Sequence, residues 1–206
     1  MKEFKTVEEH LSAEIEEKRS KFLADIFYVE NEEQAREYIN SIKKKYHDAK
    51  HHTYAYKVVE NGKVIERSSD DGEPSGTAGV PILNVLNGFC NVLIVVTRYF
   101  GGVLLGTGGL VRCYTEAAKC SINKSKVVEK VLGFEVKIVL TYSELKEFEY
   151  YARKNNIKIT NKVYGENIEI IVDIPEKLKQ EFIKSDSTSS FKFTNCDFLK
   201  EKYIDK

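Results

Sequence analysis

Leu11, Ala13 and Ile15 alternate with polar residues, and this period of two predicts a strand. Lys18–Lys21 breaks it as a polar turn, and Phe22–Val29 forms a second apolar run. Asn31 then stands as an N-cap before EEQAREYINSIKKKY, where Ala35, Tyr38, Ile39 and Ile42 fall at helical spacing. Acids lie early in that helix and Lys43–Lys45 late, the order its macrodipole favours. Thr53–Val59 and Lys63–Arg67 predict a hairpin across Asn61-Gly62, a pair suited to the positive backbone angles of a tight turn. A Gly/Pro/Asp-rich loop, SSDDGEPSGTAG, leads to a short helix over Val80–Leu86. The run NVLIVVTRY, Asn91–Tyr99, is apolar enough on both faces for a buried central strand. The glycine-rich FGGVLLGTGG then opens a helix over about Leu110–Asn123.

Beyond Lys124 the pattern changes. Lys126–Tyr142 predicts a long strand with a bend near Gly133. Ser143 is the expected cap of a helix reaching Asn155, with Leu145, Phe148, Tyr151 and Ala152 on one face. Ile157–Tyr164 and Asn167–Ile174 predict two strands joined at Gly165. Pro175 suits the first position of a third helix, Asp186–Ser190 a polar loop, and Phe191–Phe198 a last strand. The order βαββαβ is the ferredoxin-like split βαβ pattern. The expected class is therefore α+β in two domains, residues 1–126 and 127–206.

Composition narrows the function classes. The chain has 206 residues, with 42% hydrophobic and 31% charged, an ordinary globular balance. Lys+Arg and Asp+Glu are each 32, which excludes coating of nucleic acid by bulk charge but not a local basic patch. The longest aliphatic run, Val92–Val96, is far short of the roughly 20 residues that span a bilayer. MKEFKTVEEH lacks the apolar stretch of a secretory signal, so a cytoplasmic location and no membrane partner are expected. Cys90, Cys113, Cys120 and Cys196 form no CxxC pair and are expected to be reduced, buried small hydrophobes.

Candidate chemistry concentrates in residues 68–112, which hold nine of the 12 glycines. A strand, a glycine-rich turn and a helix N-terminus make an anion-binding arrangement of converging backbone N–H groups. Arg98 before the turn and Arg112 inside the helix could add bidentate phosphate contacts. A P-loop is excluded because Thr107 stands where its lysine belongs, and a dinucleotide fingerprint because Val111 replaces the third glycine. Asp70, Asp71 and Glu73 could hold a hard cation, cap a helix starting near Thr77, or fold against Arg98 or Arg112 as a structural network. His47, His51, His52 and Asp48 do not complete a metal site, and His51 is expected to line the glycine-rich cleft. Tyr54, Tyr56, Tyr99 and Phe100 are either core aromatics or stacking surfaces beside Arg98 and Lys57.

The stretches SSDDGEPSGTAGVPIL and VVTRYFGGVLLGTGGLVRCY, with HHTYAY upstream, resemble the signature of the YigZ/IMPACT family. The motif falls on His51, Asp70, Asp71, Gly72, Glu73, Pro74, Gly76 and Gly79. It continues through Arg98, Tyr99, Gly101, Gly102, Gly106, Thr107, Gly108, Gly109, Leu110 and Arg112. Cys113 departs from the small residue typical there. The resemblance implies an N-terminal fold like domain 2 of a ribosomal protein and a ferredoxin-like C-terminal domain. It implies translation regulation among eukaryotic members, which carry an additional N-terminal partner-binding domain that is not expected here. From it follows the expectation of a translation-linked protein binding RNA or a ribosomal complex, with a protein partner as a further expectation. The alternative is an enzyme acting on a phosphorylated small molecule. No catalytic residue, metal or cofactor is assigned. The expected ligand contacts are Arg98, Tyr99, Gly101, Gly102, Gly106, Thr107, Gly108, Gly109, Arg112 and His51, beside the acidic loop Asp70, Asp71 and Glu73.

Overall fold

The computed structural model describes residues 3–60, 62–183 and 191–206. Asn61 of the expected turn and the expected loop Asp186–Ser190 lie outside them. Contacts divide the chain into two compact units, Glu3–Glu129 and Lys130–Lys206.

The first unit contains strands β1 (Glu3–Val7), β2 (Leu11–Glu17), β3 (Ser20–Tyr28), β4 (His51–Glu60), β5 (Lys63–Ser69) and β6 (Val92–Tyr99). Its helices are α1 (Glu32–Lys45), α2 (Gly79–Val85) and α3 (Gly106–Lys124). Five strands pair antiparallel in the order β2-β3-β6-β4-β5. Sequence explains why β6 is central: Val92–Val96 are each 0% exposed, so both faces are covered. Val92, Ile94 and Val96 join Phe22, Ala24, Ile82, Leu110, Tyr114 and Ala117 on the α2/α3 side. Leu93 and Val95 join Ala35, Ile39 and Ile42 of α1 on the other. Alternation then sends Arg98 to the α2/α3 side and Tyr99 to the α1 side.

α1 begins where the sequence signals it, with the Asn31 side chain accepting from the Gln34 N–H at 2.8 Å. The β2–β3 turn is Lys18-Arg19, both at positive φ, 46° and 62°. α3 starts four residues before Leu110, because glycines with poor helix propensity build its first turn and hide it from the hydrophobic period. β1 is an addition to the expected elements, its five residues being too few for a period of two to stand out.

The second unit contains β7 (Val127–Leu140, whose first three residues belong to the first unit), α4 (Leu145–Lys154), β8 (Lys158–Tyr164), β9 (Ile168–Pro175), α5 (Lys179–Ile183) and β10 (Asn195–Asp205). The antiparallel order β10-β7-β9-β8 is the ferredoxin-like arrangement. Phe134, Val136, Ile138 and Leu140 alternate into a core with Ile168, Ile170, Phe148 and Phe182. The opposite face carries an ion-pair network in which Lys202 meets Glu135 at 2.9 Å and Asp173 at 2.6 Å.

Three boundaries differ from expectation here. Glu144, not Ser143, is the residue at the start of α4, because the Thr141 N–H and hydroxyl both donate to the Glu144 carboxylate. Pro175 closes β9 and precedes a 3₁₀ turn, Glu176–Leu178, instead of opening α5. β10 starts at Asn195 and runs to Asp205, and a bulge between Phe198 and Lys200 breaks the alternation that would have marked its length.

Candidate functional site

The motif residues separate into an interior network and an exposed shelf. The interior begins with Arg98, which is paired across the sheet with Phe22 and His51. Its Nη1 donates to Glu73 Oε1 at 2.7 Å, and the Tyr114 hydroxyl donates to the same oxygen at 2.7 Å. The guanidinium lies over two rings, 5.5 Å from the centre of Phe22 and 5.6 Å from that of Phe100. Glu73 and Arg98 side chains are 3% and 7% exposed, so this pair is internal. Burial, and then the Glu73 hydrogen bond, push the Tyr114 hydroxyl far up and keep it neutral.

The other acids of the loop are equally engaged. Asp70 accepts from the N–H groups of Gly76, Ala78 and Gly79, at 2.8, 3.0 and 2.8 Å. Burial alone would raise its carboxyl, but the three backbone donors outweigh that and hold it below the usual carboxylate range. It therefore caps the start of α2. Burial likewise opposes, without preventing, a lowered Asp71: Lys43 Nζ lies 2.9 Å from its Oδ1, and the His52 N–H donates to its Oδ2 at 2.7 Å. His51 Nδ1–H donates to the Asp71 carbonyl at 2.9 Å. Of the readings open for this loop, capping and structural pairing describe its contacts, with Glu73 rather than Asp70 or Asp71 meeting Arg98.

The shelf lies at the same end of the sheet. Gly101 crosses so close to the β2–β3 turn that a Cβ there would sit 2.1 Å from the Arg19 carbonyl carbon. Its N–H donates to Ser20 Oγ at 3.1 Å. Gly102 and Gly106 take φ of 83° and 71°, and Gly106, Thr107 and Gly108 are exposed. α3 begins there with no side-chain cap and no acid in its first turn, which leaves N–H groups facing solvent. Arg112, mostly exposed, reaches Glu17 at 3.1 Å. Lys18 and Arg19 are exposed and make no ion pair among the described residues.

The expected contacts thus do not all converge. Gly101, Gly102, Gly106, Thr107, Gly108, Gly109 and Arg112 share the shelf. Arg98 is buried beneath it, and His51 is tied to the acidic loop. Tyr99 points to the opposite face, where its hydroxyl donates to Asp48 at 2.7 Å and is pushed up to about 12 by that bond. Tyr56 and Lys57 are buried, Lys57 against Glu66 at 2.8 Å, which leaves Phe100 as the exposed aromatic of the expected set beside the turn. Lys18 and Arg19 were legible only as a turn; two cations at the tip of a predicted hairpin are the signal that could have marked them. Among the described residues, no three His, Cys, Asp or Glu are placed to hold a metal ion, and no helix is long and apolar enough to cross a membrane.

Comparison with known proteins places this geometry. The model of the Impact N-terminal domain matches residues 18–122, and that of a domain of unknown function, DUF1949, matches residues 138–185. The chain is 38% identical over 179 residues to the IMPACT family member YvyE of Bacillus subtilis, covering 86% of this chain and 82% of that protein. It is 32% identical over 168 residues to the IMPACT family member YigZ of Escherichia coli, covering 80% and 82%. A crystal structure described only as that of an hypothetical protein superposes with a TM-score of 0.64 at 29% identity, covering 94% of this chain and 97% of that one. With its glycine-rich strand-to-helix connection inside the matched segment and relatives aligned across both units, the chain belongs to the IMPACT family.

Proposed function

We propose that this chain is a translation-linked accessory protein that binds RNA or a ribosomal complex in the cytoplasm. The contact surface is the shelf of Lys18, Arg19, Gly101–Gly109 and Arg112. One observation carries the proposal: two cations without ion-pair partners among the described residues sit beside the uncapped, acid-free start of a 19-residue helix. With Glu17 taken up by Arg112 and Glu14 by Lys21, that leaves a small local excess of positive charge beside Glu16, facing solvent. Phosphate oxygens satisfy both kinds of donor at once. The translation setting follows the family resemblance of the eukaryotic members, and relies on the shelf for its physical content.

The groups an enzyme of phosphorylated small molecules would use, Asp70, Asp71 and Arg98, are each engaged within the fold. The binding reading uses Lys18, Arg19 and the N–H groups at the start of α3, which are not, while Arg112 is held by Glu17. Two unpaired cations predict weak affinity that falls with salt, with a slope of about −1.4 on logarithmic axes for single strands.

Ribosome co-sedimentation and RNA anisotropy test the proposal, at low and physiological salt. Lys18→Ala with Arg19→Ala should release the protein from the bound fraction and flatten the salt slope, while thermal melts stay unchanged. Absence of binding by wild type at either salt defeats the proposal.

A further inference from the structure

We propose that Phe100 is a platform on which one unpaired base of a single-stranded RNA stacks, an inference that rests on the RNA reading above. Phe100 follows β6 on the same side as Arg98 and is 55% exposed. Its inner side is held by the Arg98 guanidinium 5.6 Å from the ring centre. That guanidinium is itself held by Phe22 and by Glu73, whose carboxylate the Tyr114 hydroxyl fixes in turn. The ring is therefore mounted on a buried, immobilised cation while its outer part meets water. A ring positioned before binding loses little entropy when a ligand arrives.

The surroundings narrow the ligand. Val103 and Leu104 are 42% and 83% exposed, so the apolar surface extends beyond the ring. Gly101 locks this segment against the backbone of Arg19, which ties Phe100 to the unpaired cations Lys18 and Arg19. A ligand that fits offers a flat apolar face and negative charge within a few ångströms of each other. A nucleotide does both. In a duplex each base is covered on both sides by its neighbours, so only an unpaired base can lie on the ring.

The chain contains no tryptophan, so Phe100→Trp creates a single indole at the site, excited selectively over the 12 tyrosines. Full-length Phe100→Trp is titrated with a mixed-sequence single-stranded RNA and with a duplex of equal length. Quenching by the single strand and not by the duplex is expected. Phe100→Ala should weaken single-strand binding about tenfold, the usual worth of one base–aromatic stack, and leave duplex binding unchanged; because the ring also covers Arg98, its loss lowers the melting temperature, and binding is compared where both proteins are folded. If RNA binds, and Lys18→Ala with Arg19→Ala weakens it, but the indole emission does not move and Phe100→Ala binds like wild type, the platform is overturned and the phosphate-binding surface stands. If no RNA of either form binds, the RNA reading and the platform fall together.

Discussion

Glu73 and Arg98 meet at 2.7 Å inside the first unit, and the Tyr114 hydroxyl donates to the same carboxylate oxygen. Three segments are joined by this contact: the loop after β5, the end of β6 and the middle of α3. Removing one partner strands a charge that has little access to water, so Glu73→Ala should cost about 3–5 kcal/mol. Tyr114→Phe removes one charge-assisted bond and should cost about 1.5–3 kcal/mol. Glu73→Leu combined with Arg98→Met should cost less than the sum of the singles. Denaturation followed through hydrogen exchange of β6 amides separates this unit from the other. Equal, additive losses would show that the three groups are not coupled.

The acidic loop predicts how the same unit responds to pH. Asp70 and Asp71 have lowered pKa values in the folded state, held there against burial by backbone donors and by Lys43. Each therefore contributes stability that is complete above its unfolded pKa, about 3.9, and is lost as pH falls through its folded pKa. Stability of this unit should stay level near neutrality and drop below about pH 4. Asp70→Asn should lower the plateau and make the acid-side fall shallower, because one contributor is gone. An unchanged acid slope in that variant would assign the fall to other carboxylates.

Much of the fold was legible because its signals are local. Val92–Val96 announced a strand covered on both faces, and Asn31 with the following acids announced α1. The start of α3 was not, since Gly106–Gly109 carry no apolar period. Nor was the division of the motif: Arg98 and Tyr99 are adjacent in sequence, and only the parity of β6 sends one inward and the other to the far face. Glu73 looked no different from Asp70 and Asp71, yet its partners are 25 and 41 residues away. Distances of that kind are set by the folded sheet and leave no trace in spacing.

The glycines of the shelf should divide by mutation. A Cβ on Gly101 would meet Arg19 and Ser20 backbone at 2.1–2.4 Å, and backbone gives way poorly. Gly101→Ala should cost about 1–3 kcal/mol or more and displace the Lys18-Arg19 turn, so binding falls with stability. Gly108 faces open space at helical φ, and Gly108→Ala should stabilise by up to about 1 kcal/mol. If Gly108→Ala raises the melting temperature while weakening RNA binding, the glycine serves close approach of the ligand to the backbone. A melting temperature that falls would contradict the open surroundings.

The sheet face of the second unit offers lysines too, but they differ from Lys18 and Arg19 in being paired. Lys202 bridges Glu135 and Asp173, and Lys200 lies 3.6 Å from Glu135. Burial works against the Lys202 ammonium, and the two carboxylates overcome it, leaving its pKa raised. Lys202 thus contributes stability below its unfolded pKa, about 10.4, that is lost only as pH rises through a still higher value. A cation held this way gains little by exchanging a carboxylate for a phosphate. Lys202→Met should destabilise the second unit by about 1–3 kcal/mol, less than a fully buried pair because the network is partly in water. RNA affinity and its salt slope should stay those of wild type. Both quantities come from one anisotropy series at four salt concentrations. A reduced slope in Lys202→Met would move part of the RNA contact from the shelf to this sheet face.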